Sequence, residues 1–85
     1  MKEVTIRGIT YKIDEVPAII GFDILERLGE KTESTKARLE LIAASVTCNG
    51  EPIDISTIST ALASKLFMEA WEVNHIGDDE GNENP

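Results

Sequence analysis

The 85-residue chain has one cysteine and one histidine, and these scarcities exclude several kinds of chemistry. Cys48 has no internal partner for a disulfide, which suits a reduced, cytosolic setting. A structural zinc site needs about four Cys and His ligands, and one copy of the chain holds two. Cys48 and His75 are not neighbours in sequence. Cys48 reads as a small buried hydrophobe and His75 as a helix-end histidine facing the dipole, not as a nucleophile and its base. Gly-rich phosphate loops and the G-x-S-x-G elbow are missing. The acids Asp78, Asp79, Glu80 and Glu83 lie in a segment too short for an EF-hand frame. No catalytic residue, metal or cofactor is therefore expected, and the chain reads as a non-enzyme. Long apolar runs are also missing. Nothing approaches the roughly 18 residues of a membrane span, and no apolar signal core follows Met1, so the expected location is the cytoplasm. Basic residues are few, 8 against 16 acids for a formal charge of −8. Without a basic block, direct binding to a nucleic-acid backbone is not expected.

What is present is apolar patterning. Apolar residues make up 41% of the chain, enough for a folded core. The length allows one domain, thin-cored enough to gain from oligomerisation. Val4, Ile6, Ile9, Tyr11 and Ile13 alternate with polar residues, and the parity changes at Gly8, which reads as a β-hairpin. Two strands alone are marginal. This hairpin needs helices or a further strand, and its edges are open to a second subunit.

Three helices follow by apolar period. The first covers residues 17–28, with Pro17 in its first turn and Gly29 as its stop. Ile20, Ile24 and Leu28 form its stripe, widened by Leu25, and Asp23, Glu26 and Arg27 make its polar side. Gly21 lies on the apolar face. Either it lets another backbone come close or it is a tolerated glycine costing about 1 kcal/mol against alanine. The second helix covers residues 35–47, capped by Thr32 or Ser34. Its stripe is Leu39, Ile42, Ala43 and Val46, and a second strip of Ala37, Leu41, Ala44 and Cys48 lies opposite. Two strips imply a helix held between neighbours. Asn49-Gly50 is a turn, residues 52–56 are extended or turning with Ile53 and Ile55 alternating as in a short strand, and Asp54 or Ser56 is placed to cap the third helix. That helix runs from about residue 58 to His75, with Gly77 as its stop. Residues 78–85 have no apolar side chain and read as a disordered acidic tail. The fold class is thus α+β and mainly helical. A single interaction domain over residues 1–77 comprises an N-terminal hairpin and three helices.

The third helix carries an apolar surplus. At 100° per residue, Leu62, Ala63, Leu66, Phe67, Ala70, Trp71 and Val73 spread over about half its circumference, where a surface helix shows a stripe of roughly 100°. Either the helix is central and buried or one face is kept for a partner. Phe67 and Trp71, one turn apart, fit both readings, since buried aromatics complete cores and also anchor interfaces. The candidate protein-binding residues are Leu62, Leu66, Phe67, Ala70 and Trp71, with Leu41 and Ala44 from the second face of helix two.

The order of these features resembles a family. The hairpin Val4-Thr5-Ile6-Arg7-Gly8-Ile9-Thr10-Tyr11-Lys12-Ile13 precedes a helix opening on Pro17-Ala18. A second helix, the turn Asn49-Gly50-Glu51-Pro52-Ile53-Asp54 and a final helix ending Ala70-Trp71-Glu72-Val73-Asn74 complete the pattern. This is similar to the small tail assembly chaperones of long-tailed bacteriophages and prophages. The likeness is one of pattern, without a diagnostic residue set. It implies a homo-oligomeric protein of the bacterial host cytoplasm that coats the tape-measure protein during tail assembly. It also implies that a frameshifted longer form contacts the tail tube protein. A different binding class stays open: a small acidic phage-encoded inhibitor, of anti-restriction or anti-CRISPR type, whose acids mimic DNA phosphates.

Overall fold

The structure, a computed structural model, describes residues 1–74. The expectations for His75, the Gly77 stop and the acidic tail lie outside the described residues. Along the chain come β1 (Lys2–Ile6), β2 (Ile9–Ile13), α1 (Ala18–Leu28), α2 (Ser34–Ser45), β3 (Val46–Cys48), β4 (Glu51–Pro52) and α3 (Thr60–Asn74). The strands form one antiparallel sheet in the order β1-β2-β3-β4. The fold is α+β.

Both tight turns follow from backbone chemistry. A two-residue hairpin loop of type I′, whose twist matches the strands, needs positive φ at both positions. Arg7 (φ 54°) and Gly8 (φ 84°) supply this between β1 and β2, and Asn49 (φ 55°) and Gly50 (φ 81°) supply it between β3 and β4. Arginine is an uncommon occupant of that region. The β1–β2 register pairs Val4 with Tyr11 and Thr5 with Thr10. One sheet face therefore carries Val4, Ile6, Tyr11 and Ile13 towards the core, while Glu3, Thr5, Thr10 and Lys12 are exposed.

The second helix ends earlier than its apolar period indicates. It stops at Ser45, and Val46 is already extended (φ −109°, ψ 131°). Val46 pairs with Ile13 and Thr47 with Lys12, so the chain itself provides the third strand. Val46 keeps its place in the core by either geometry, which is why periodicity did not separate them. Its β-branched neighbours and the Asn-Gly turn favour the strand. Of the two readings for residues 52–56, the turn holds at Ile55 and Ser56, while the strand ends at Pro52. Ser56 donates from its backbone N–H (3.0 Å) and its hydroxyl (2.6 Å) to Asp54 Oδ1. The cap of α3 falls to Ser59, whose Oγ accepts the Leu62 N–H at 3.1 Å, and neither Asp54 nor Ser56 takes that role. Nor do Thr32 or Ser34 cap α2; Glu33 occupies the position without a side-chain cap bond.

The middle helix is held from two sides, with α1 and α3 both packed on it. Leu41 and Ile42 are accordingly both buried, as are Ala37 and, from α3, Leu66 and Ala70. The one buried polar side chain among the described residues, Ser45, is satisfied by donating to Leu41 O at 2.7 Å.

The connector between β2 and α1 is pinned at both ends of the molecule's depth. Asp14 N–H donates to Ser45 O at 2.8 Å. Val16 N–H donates to Asn74 Oδ1 at 2.8 Å, and Asn74 Nδ2 donates to Asp14 O at 3.3 Å and to Ala70 O at 3.0 Å. Pro17 stands just ahead of the helix rather than inside its first turn (φ −59°, ψ 146°), and its carbonyl accepts from Ile20 and Gly21 at 2.9 Å. Gly29 does close α1, but with φ −82° it needs none of glycine's conformational freedom. Replacing Asn74 with alanine leaves part-buried backbone groups without partners, so Asn74→Ala is expected to cost about 1–3 kcal/mol in urea unfolding. Asn74→Asp, which sets a carboxylate oxygen against two carbonyls, is expected to cost at least as much.

Candidate docking surface

The apolar surplus of α3 is largely consumed inside the fold. Leu66 and Ala70 are fully buried, and Leu41 of α2 nearly so. These three offer no side-chain surface to a partner in this conformation. The reason is geometric: α3 packs against both α2 and β2, and two neighbours at different angles require a wide apolar arc. Ala44 is exposed, and Leu62, Phe67 and Trp71 are half-buried. Phe67 and Trp71 form a tilted ring pair with centroids 6.0 Å apart. The pair nevertheless divides between two depressions rather than forming one site.

Phe67 lines a broad groove of about 550 Å³ with Leu39, Ile42, Ile58, Ala63 and the exposed Met68. The Arg38 guanidinium lies over its ring, 5.9 Å from the centroid, a separation typical of a cation–π contact. Trp71 lines a smaller cleft of about 190 Å³ between α1 and α3, with Val16, Gly21, Phe22, Ile24, Leu25 and Leu41, and with Glu15 and Asn74 as its polar members.

Among the described residues, four of the seven exposed large apolar side chains lie on α1. Ile19 is 81% exposed, Phe22 69%, Ile20 41% and Leu25 40%, whereas only Ile24 of this helix is buried. With α2 as its chief neighbour, α1 covers one face and leaves the other in water. At 100° per residue, Leu25, Ala18 and Phe22 form a strip along the outer side; Glu26 separates it from Ile19, and Asp23 lies beyond Ile19. The stripe of Ile20, Ile24 and Leu28 marks the inner face. Ile19 and Phe22 belong to the outer one and were the residues that a stripe-based reading passed over. Their signal was present: once both are counted, the polar arc of α1 shrinks to Asp23, Glu26 and Arg27.

Charge is arranged to leave this strip free of cations. Arg27, on the far side of the helix, binds Asp23 at 2.9 Å, Glu33 at 3.8 Å and also Glu40. Its hydrogen bonds to Glu40 and Asp23 hold the guanidinium above its ordinary pKa. Lys2 bridges to Glu69 at 2.6 Å and Glu72 at 3.0 Å, tying β1 to α3. The same two carboxylates raise the Lys2 pKa, Glu69 foremost. These are exposed pairs, screened by salt. Among the described residues no group of three or more His, Cys, Asp and Glu is placed to hold a metal ion, and no helix is long and apolar enough to cross a membrane. Set against family models, curated proteins and solved structures, the chain matches none.

Two measurements probe this geometry. A Cβ added at Gly21 meets only Val16 Cγ2, at 3.5 Å, an ordinary contact, so no close backbone approach within the chain requires this glycine. Gly21→Ala is expected to raise stability by up to about 1 kcal/mol through helix propensity, while filling part of the cleft. The Asp54 carboxyl is held below its ordinary value, chiefly by the Ser56 hydroxyl and then by the Ser56 N–H. Its contribution to stability is present above about pH 3.8, the unfolded value, and is lost as the pH falls through the lowered folded value. A melting-temperature profile from pH 2 to 5 is expected to be flatter for Asp54→Asn than for the wild type.

Proposed function

We propose that the chain is a non-enzymatic assembly chaperone that shields apolar helical segments of a partner on the outer face of α1 and the adjoining α1–α3 cleft. The observation that carries this reading is the exposure of Ile19, Phe22 and Leu25 on the outer side of one helix. Large exposed apolar side chains gathered on one helix, rimmed by charged residues, mark an interaction site. The partner named by the family resemblance is the tape-measure protein, a long helical chain that would aggregate if left bare. In that setting the chain works in the host cytoplasm as a homo-oligomer, and a longer form reaches the tail tube protein.

The magnitudes favour many weak contacts over one strong contact. Burying a large apolar side chain contributes roughly 1.5–3 kcal/mol. Three partly exposed ones therefore bring no more than about 4.5–9 kcal/mol before an association cost of about 4–15 kcal/mol. A single copy binds modestly, and copies arrayed along one long partner gain by avidity. The net charge of −8 keeps coated complexes apart. The DNA-mimic reading draws less support, because Asp23, Glu33, Glu40, Glu69 and Glu72 are engaged with Arg27 and Lys2.

Phe22→Glu tests the proposal with little risk to the fold, since the side chain is mostly in water. Co-expression with a tape-measure segment, followed by affinity measurement, is expected to show at least about a tenfold loss for Phe22→Glu with an unchanged melting temperature, about 1.4 kcal/mol in binding. Met68→Glu, in the other groove, is expected to bind as the wild type does. Full-strength binding by Phe22→Glu would place the contact elsewhere and remove the basis of the reading.

A further inference from the structure

We propose that the α1–α3 cleft accepts one large apolar side chain of a basic amphipathic helix, whose cations on either side of that anchor meet Glu15 and Glu26. This rests on the reading that the outer face of α1 docks a partner, and it specifies the partner's chemistry.

Size argues for a single anchoring side chain. Small-molecule sites run to roughly 300–1,000 Å³, above the 190 Å³ found here. A cavity of about 150 Å³ holds one benzene ring, so a leucine or phenylalanine side chain matches the space. The lining is apolar apart from Glu15 and Asn74. The Asn74 amide is already committed to Val16, Asp14 and Ala70, so Glu15 is the lining group left to recognise charge.

Charge complementarity then selects the occupant. No Lys or Arg lines the cleft, and the one cation of α1, Arg27, is bound to three carboxylates on the opposite side. Glu15 and Glu26 are exposed and form no ion pair among the described residues. Glu15 lies just before α1, and Glu26 one turn beyond Phe22. The α1 residues that line the cleft run from Ala18 to Leu25, so Glu15 precedes them and Glu26 follows them along the chain. A ligand helix lying along α1, with basic residues one turn before and one turn after its anchor, sets one cation towards each of these carboxylates. An acidic or neutral helix leaves both carboxylates facing apolar surface or like charge.

The test uses the full chain and its only tryptophan, Trp71, which lines the cleft. Three designed helical peptides share a leucine anchor and one apolar face, contain no Trp or Tyr, and carry Lys, Gln or Glu at the two flanking positions. Binding is followed by Trp71 emission and by calorimetry. Two exposed ion pairs are worth up to about a tenfold change in Kd. The Lys peptide is thus expected to bind up to about tenfold tighter than the Gln peptide at low salt, with the Glu peptide weakest. The gap should close near ~1 M salt, where screening acts within about 3 Å. A variant carrying Glu15→Gln and Glu26→Gln is expected to bind the Lys and Gln peptides equally. Equal binding of those two peptides by the wild type would overturn the charge inference while leaving the docking reading intact. Failure of every peptide to bind would overturn both. Self-association of the wild type that Phe22→Glu disperses would identify a second copy as the occupant and overturn the proposal.

Discussion

The arrangement depends on how the short connector after β2 is held. Asp14, Glu15 and Val16 must leave a sheet edgewise and enter a helix that packs on a different layer, and three backbone groups there would otherwise lack partners. Ser45 O takes the Asp14 N–H, and the Asn74 amide takes the Val16 N–H and gives to Asp14 O. Residues distant in sequence, at the end of α2 and the end of α3, thereby fix the start of α1. An amide is suited to this because it donates and accepts at once. The same contact ties the start of α1 to the end of α3, while Ile24 packs the helix into the core.

The direct passage from α2 into β3 has a second consequence. With no loop between Ser45 and Val46, the helix end is carried to the sheet, and Val46 closes against Ile13 with both side chains fully buried. The sheet gains its inner strands from its own chain. The interior is then completed by α3, whose Leu66 and Ala70 are also buried. α1 is left as the one helix with a large uncovered apolar side. Its placement as an outer element is the price of a core built around α2 and α3 in so small a chain.

Local chemistry was legible in the sequence and packing partners were not. The hairpin at Gly8 and the turn at Asn49-Gly50 follow from which residues tolerate positive φ, a property that needs no neighbour. The two-sided character of α2 was readable because Leu41 and Ile42 fall on different sides of the helix. Val46 was misplaced because one residue satisfied both a helical period and a strand, and only pairing with Ile13 decides between them. The wide arc of α3 was correctly seen, but a sheet and a helix packed on one element produce the same pattern as an interface. Leu66, Ala70 and Leu41 therefore moved from candidate contacts to core. Phe22 and Ile19, by contrast, escaped notice because the i, i+4 stripe through Ile24 already accounted for the helix.

The central claim is that α1 is a firmly seated helix presenting a preformed apolar face. Residue-resolved amide hydrogen exchange on the free protein tests it most directly. The account predicts that the Val16 amide and the amides in the middle of α1 exchange about as slowly as those of α3, because the Asn74 contact and the packing of Ile24 hold the helix in place. Near-unprotected exchange throughout α1, with α2 and α3 still protected, would show a loosely attached segment and contradict the account.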